Sequence, residues 1–260
     1  MRILCVGDIF GQPGRDAVRT LVPQLIERER LDLVIANAEN SAGGAGVTLE
    51  TARDLLSMPI GLFTGGNHTW RHKEFYPLLD KEPRFLRPHN FPEGTPGRGV
   101  GLCETSSGVK VGVLNLQGRV FMDPLPSPFE TALEAIEELR RETRIILVDI
   151  HAEATSEKRA LAWHLDGKVS ALFGTHTHVQ TADEEILPGG TGYLTDLGMT
   201  GPYDSVIGMK KELVLRRFLT LRPTSFEVAK HDVRLCGAIF EIDPETGRTT
   251  GITRVRENFP

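Results

Sequence analysis

The feature that most constrains this chain is a repeated unit: a short run of β-branched and other apolar residues, a polar residue closing it, then a stretch with helical spacing. The runs Arg2 to Gly7, Leu31 to Ala38, Gly61 to Gly65, Val109 to Leu116, Arg144 to Ile150 and Ser170 to Gly174 read as strands. Helical spacing is clearest in Arg15 to Arg30 and in SPFETALEAIEELRRE, where Ser127 and Pro128 stand as N-cap and first helical residue. Such alternation predicts strand-helix-strand units and largely parallel pairing, hence an α/β fold. Near the C-terminus, RLCGAIFEIDPETGRTTGITRVRE alternates apolar and polar residues around a Pro-Glu-Thr-Gly turn. It reads as a hairpin belonging to a second sheet. The expected architecture is therefore a two-sheet mixed β core flanked by helices. The Pro/Gly-rich segment from Arg87 to Gly101 is expected to be a surface loop rather than a linker, because strand patterns resume on both sides. With no internal repeat or low-complexity tract, residues 1–260 are read as one domain.

Composition narrows the class of function. Hydrophobic content of 40% and charged content of 25% suit a globular chain with a sizeable core. The net charge of −5 offers no general attraction to nucleic acid or anionic lipid, so an anionic ligand has to be held by a local site. The three cysteines, Cys5, Cys103 and Cys236, are scattered and unpaired in pattern, as reduced thiols of a cytoplasmic protein would be. No stretch approaches the ~20 apolar residues of a membrane span.

The residues that close the strand runs are unusual. They are Asp8, then Glu39 and Asn40, then Asn67 and His68, then His151, and finally His176 and His178. In parallel α/β sheets ligands bind outside the carboxyl ends of the strands, so groups far apart in sequence converge on one crevice. Taken singly, Asp8 reads first as a turn or cap residue and His151 as a satisfied core histidine. His176 and His178, two apart on an extended segment, would point to one face, as two ligands of a metal cluster would. Together these imidazoles, carboxylates and amides would be costly at the mouth of a core without a metal to pair with. Lacking thiolates, the set suits Mn, Fe, Zn or Co better than Ca. The groups are too many for one ion and reasonable for two. With Asp8 and Glu39 as the only anions, such a pair stays net positive and attracts phosphate. Two metals about 3.5–4 Å apart can supply a hydroxide nucleophile and offset developing charge in an in-line displacement.

The ordered blocks GD at Gly7 and Asp8, GNH at Gly66 to His68, the single His151 and GTHTH at Gly174 to His178 resemble calcineurin-like metallophosphoesterases. The finer strings GDIFGQPGR, NAENSAGG, GNHTW, HAEATSEK and GTHTHVQTAD are similar to the YmdB-like branch over nearly the whole chain. The resemblance implies the family's α/β/β/α sandwich. Two departures from the wider family concern the ligands. The usual GDxH histidine is replaced by Phe10, and the usual bridging aspartate of a GDxxD block is missing. Resemblance to the YmdB-like branch implies that Glu39 bridges two ions and that Asn40 fills the place left by Phe10. It sets Asp8, Asn40 and His178 with Glu39 on one ion, and Asn67, His151 and His176 with Glu39 on the other.

His68 is then the family's proton donor to the leaving oxygen, the alternative being a histidine that orients a ligand. The implied cofactors are two divalent or mixed-valence transition metal ions, iron, manganese or zinc. The implied substrate is a small nucleotide phosphodiester, with 2′,3′-cyclic nucleotides foremost, hydrolysed by attack of the metal-held hydroxide. A phosphomonoesterase on the same site and a nucleotide-binding regulator without turnover are the competing readings, and self-association of the chain stays open. His72 and His89 are weaker candidates for substrate contact. Arg119 and Lys158 are read as solvated surface residues, and His164 and His231 as surface or packing residues.

Overall fold

The computed structural model describes residues 1–105 and 107–260. Its first half contains β1 (Arg2–Val6), β2 (Asp8–Ile9), α1 (Gly11–Glu29), β3 (Leu33–Asn37), α2 (Leu49–Leu56), β4 (Leu62–Thr64), α3 (Tyr76–Lys81), β5 (Val100–Glu104) and β6 (Lys110–Gln117). There follow α4 (Pro128–Leu139), β7 (Ile146–His151), α5 (Thr155–Leu165), β8 (Ala171–Thr175), β9 (Glu185–Ile186) and β10 (Gly192–Leu194). The last elements are β11 (Met199–Pro202), α6 (Lys211–Thr220), β12 (Val233–Ile242) and β13 (Thr249–Asn258). Every strand read from the sequence is present, with ends displaced by no more than a few residues.

These strands divide between two sheets. The first runs β2-β11-β12-β1-β3-β4 with β13 paired to β12, and the second runs β5-β6-β7-β8-β10-β9. β1, β3 and β4 are parallel neighbours in one, and β6, β7 and β8 in the other. Between the sheets lies a core built mostly from strand residues, among them Ile3, Cys5, Ile35, Val113, Phe173 and Phe240. The outer face of the first sheet is covered by α1 and α2 through Val18, Val22, Leu25, Ala52 and Leu55. α4 and α5 cover the second through Ala135, Ile136, Leu161 and Leu165. The α/β/β/α order is the expected architecture. It follows from strands that are apolar on both faces and must be covered on both.

The C-terminal hairpin departs from expectation. β12 lies inside the first sheet, antiparallel to β1 along Gly237–Glu241 and to β13 on its other side. Leu235 and Ile239 face the α1 side while Ala238 and Phe240 face the second sheet. Alternation therefore describes β13, whereas β12 is a central strand. The segment after Arg87 also differs from a plain surface loop. Arg87, Pro88 and Asn90 are buried, and Asn90 donates to Gln117 O at 2.8 Å and Pro126 O at 3.0 Å, closing the end of β6. Among the described residues, no helix is long and apolar enough to cross a membrane.

Candidate metal centre

The strand-end residues meet at the mouth between the two sheets. Asp8 begins β2, Glu39 and Asn40 follow β3, Asn67 and His68 follow β4, His151 closes β7, and His176 and His178 follow β8. Asp8, Glu39, Asn40 and His151 are essentially inaccessible. Gly66 makes the floor: a Cβ there would run into the Glu39 carboxylate and the His151 ring, so only glycine lets the chain pass this close.

The side chains gather at two points that share Glu39 Oε1. At one point, His151 Nε2 has Asn67 Oδ1 at 3.0 Å, Glu39 Oε1 at 3.1 Å and His176 Nδ1 at 3.1 Å. At the other, Asn40 Nδ2 has Glu39 Oε1 and His178 Nε2 at 3.1 Å and Asp8 Oδ1 at 3.4 Å. A ring nitrogen carries at most one proton and a side-chain amide two. Neither can serve three acceptors at once.

Each of the three histidines is turned so that a lone pair faces these points. His178 Nδ1 donates to the carbonyl of Ile207 at 2.9 Å, which leaves Nε2 as the inner atom. His151 Nδ1 donates at 2.9 Å to Thr175 Oγ1, whose own proton goes to Asp149 at 2.7 Å. His176 Nε2 lies 3.1 Å from the Glu153 carboxylate, and its Nδ1 faces inward, 3.1 Å from His151 Nε2. An outer partner that fixes tautomer and ring orientation is the usual support of a metal-ligating imidazole.

The electrostatics agree with a place for positive charge. Burial works against ionisation of Glu39, yet His151 and His68 hold it well below the usual carboxylate range. Burial raises Asp8, opposed by His178 and His151. Burial alone would lower His151, but Glu39, Asp8 and Asp149 raise it to about 9. His176 is pushed down to about 3 by burial and by His151. Two buried acids thus draw a cation to the space that the inner nitrogens face. The donor set of carboxylate, amide oxygen and imidazole fits a first-row transition metal, and Glu39, His151 and His176 each offer a ligand atom within 4.8 Å of the others.

Several sequence expectations are corrected here. His176 and His178 do not lie on an extended strand facing one way. Both have positive φ, 95° and 66°, and they point to different gathering points. Backbone in that region is strained for a histidine and needs surrounding structure to hold it. Lys158 supplies part of that structure and is not a surface residue. It is fully buried, donating to Thr175 O at 2.8 Å and to Asp196 at 2.7 Å, while Asp196 also accepts the Thr177 hydroxyl at 2.8 Å. Arg119 is exposed. His72 is half-buried and donates to Ala45 O at 3.1 Å, and His89 is half-buried beside β6. Asp149, Thr175, Glu153, Asp196 and the Ile207 carbonyl escaped the sequence reading. Of these, Thr175, Asp149 and Glu153 carried a hint, each standing within two residues of a ligand candidate.

His68 occupies the rim with a side chain 40% exposed, and its Nδ1 lies 2.8 Å from Asn40 Oδ1 and 3.1 Å from Glu39 Oε1. Phe10, in the place of the usual histidine, is buried with its ring edge-on to His178 at 5.3 Å between centroids.

Two facing mixed sheets, helices on both outer faces and imidazoles, acids and amides at the strand ends define a metallophosphoesterase-like protein. The family model described as YmdB-like protein matches residues 4–255. The chain belongs to the YmdB-like family. A Bacillus subtilis relative named 2′,3′-cyclic-nucleotide 2′-phosphodiesterase is 47% identical over 258 residues, 99% of this chain and 97% of its own. A solved structure from Thermus thermophilus, described as a hypothetical protein, matches all of both chains at 45% identity and TM-score 0.93. Another, a novel phosphatase from Mycoplasma pneumoniae, matches 99% of this chain and 93% of its own at 35% identity and TM-score 0.92.

Proposed function

We propose that the chain is a metal-dependent phosphodiesterase acting on 2′,3′-cyclic nucleotides, with Asp8, Glu39, Asn40, Asn67, His151, His176 and His178 holding two transition metal ions. The class, phosphoric ester hydrolase, follows from relatives named as a phosphodiesterase and a phosphatase. The observation that carries the metal reading is the outward hydrogen bonding of His151 and His178, which with the inward Nδ1 of His176 sets three ring nitrogens against two buried carboxylates. Glu39 Oε1 belongs to both gathering points, which supports a bridging role. When bound, two such ions supply a nucleophilic oxygen at neutral pH and positive charge for the phosphoryl oxygens.

The protein's own part is orientation and proton delivery. His68 Nδ1 is engaged by Asn40 and Glu39, so its Nε2 is directed to the accessible side, where a ribose oxygen would leave. A departing alkoxide needs that proton and a nitrophenolate does not. General acid catalysis is worth ~10²- to 10⁴-fold, so His68→Ala is expected to lose about that factor on a 2′,3′-cyclic nucleotide and much less on bis-nitrophenyl phosphate. Metal content should stay at the unsubstituted value. Equal losses on both substrates with metal depletion would make His68 a ligand support instead. Phosphomonoester hydrolysis is the second reading, favoured by the description of the Mycoplasma pneumoniae structure as a phosphatase. Faster turnover of mono- than of bis-nitrophenyl phosphate would select it.

A further inference from the structure

Beside His178 lies a cavity of about 480 Å³ that none of the chemistry above uses. His178 and Ile207 both line it and are joined by the hydrogen bond from His178 Nδ1 to the Ile207 carbonyl, so the His178 side chain bounds the cavity and the metal centre alike. Much of the remaining wall is basic. Arg234 of β12 and Arg254 and Arg256 of β13 line it together with Tyr203, and among the described residues no aspartate or glutamate does. Register explains the grouping. Arg256 stands opposite Cys236 and Arg254 opposite Ala238, whose side chain faces the second sheet, and Arg234, two residues before Cys236, falls on the same side. The second sheet ends there in the two-residue β9, and Arg254 and Arg256 stay exposed.

Two of the three guanidiniums are held by acids that stand outside the cavity lining. Asp232 accepts from Arg234 Nε at 2.8 Å and from its Nη2, and Glu184 lies 2.8 Å from Arg254 Nε. These contacts leave Arg234 Nη1 and both Nη groups of Arg254 without an acceptor among the described residues, and Arg256 has no ion-pair partner there. Tyr203 gathers two of the cations, with the guanidinium carbons of Arg234 and Arg256 at 4.6 and 5.9 Å from its ring centre. Like charges collected around one cavity repel unless an anion joins them, and this occurs in a chain whose net charge is −5. Free guanidinium N–H groups in a fork match the oxygens of a phosphoryl group, and the volume is that of a small-molecule site. We propose that this cavity is a second anion site and takes a phosphoryl group. Two sources offer that chemistry: a separately bound phosphate, and the next phosphodiester of a nucleotide chain whose 2′,3′-cyclic end lies at the metal centre. Only the second rests on the function proposed above.

The test compares the metal-loaded full chain with the same chain carrying Arg254→Gln and Arg256→Gln. Both side chains are exposed, so the thermal midpoint should stay near the unsubstituted value. Calorimetric titration with inorganic phosphate reads the separate ligand. The unsubstituted chain should bind one phosphate more per chain than the substituted one, or bind it at least about tenfold more tightly, the loss expected when hydrogen bonds to a charged group are removed. Turnover reads the substrate's own phosphodiester. The KM for a dinucleotide ending in a 2′,3′-cyclic phosphate, divided by that for 2′,3′-cyclic adenosine monophosphate, should rise by about tenfold or more on substitution. A change in the titration alone identifies a separately bound phosphate, and a change in the KM ratio identifies the next phosphodiester of the substrate. Identical phosphate binding by the two chains with an unmoved KM ratio overturns the proposal. The titration needs no turnover, so where neither nucleotide is hydrolysed the function proposed above fails by itself, and identical phosphate binding then suffices to overturn the anion site.

Discussion

On the proposed ligand assignment, Phe10 and Asn40 divide between them the place that the family resemblance gives to one histidine. Phe10 supplies packing, its ring edge-on to His178. Asn40 supplies polar atoms at the same spot, reaching His178, Asp8 and Glu39 from the end of β3. The candidate ligands were legible because each closes an apolar run and has little reason to be there otherwise. Their supports were not, because a threonine or a carbonyl gains meaning only when the fold sets it beside a ring nitrogen. Thr175 is the clearest case. Its hydroxyl passes a hydrogen bond from His151 to Asp149, fixing which nitrogen of His151 faces inward. Thr175→Val keeps shape and removes that acceptor. Loss of such an outer partner costs ~10- to 100-fold in metal affinity or activity. Titration with a competing chelator should show a weakening of that size. An affinity equal to the unsubstituted protein's would mean that packing alone orients His151.

At the scale of elements, the strained turn after β8 is held from α5. The Lys158 ammonium reaches from that helix to Thr175 O and to Asp196, which follows β10 and grips Thr177 between the two histidines. Both charges are buried, Lys158 at 0% and Asp196 at 0% exposure. Removing one partner of a buried pair leaves an uncompensated charge and typically costs about 3–5 kcal/mol. Lys158→Met should therefore lower unfolding free energy by that order in urea titration, and adding Asp196→Asn should recover part of it by removing the stranded charge. Failure of the second substitution to recover anything would locate the loss in packing. The sequence reading placed Lys158 on the surface because a lone lysine is usually solvated, and nothing in HAEATSEKRALAWHL marks it as buried. α1 and α4 were legible for the opposite reason. Their apolar stripes, as in Ala17, Val18, Leu21, Val22 and Leu25, meet a sheet directly.

Over the whole molecule, periodicity identified strands and their direction but not how they divide between sheets. β1, β3 and β4 look no different in composition from β6, β7 and β8, since each strand is buried on both faces whichever sheet it joins. The division is settled by long-range packing, chiefly by β12, which returns from the far end of the chain to pair with β1. Its Leu235 and Ile239 close the core under α1, and Phe240 and Ile242 close the core between the sheets. Full burial of a large apolar side chain contributes about 1.5–3 kcal/mol. Four of them reach at least about 6 kcal/mol, comparable with the whole ~5–15 kcal/mol by which native domains are typically stable. A chain ending at Asp232 would also leave the β1 edge without its antiparallel neighbour. Such a chain is expected to lack cooperative thermal unfolding and to be cut rapidly by protease at sites throughout α1. A shortened chain that melts cooperatively and resists protease would show that β12 is an addition to a sheet already stable without it.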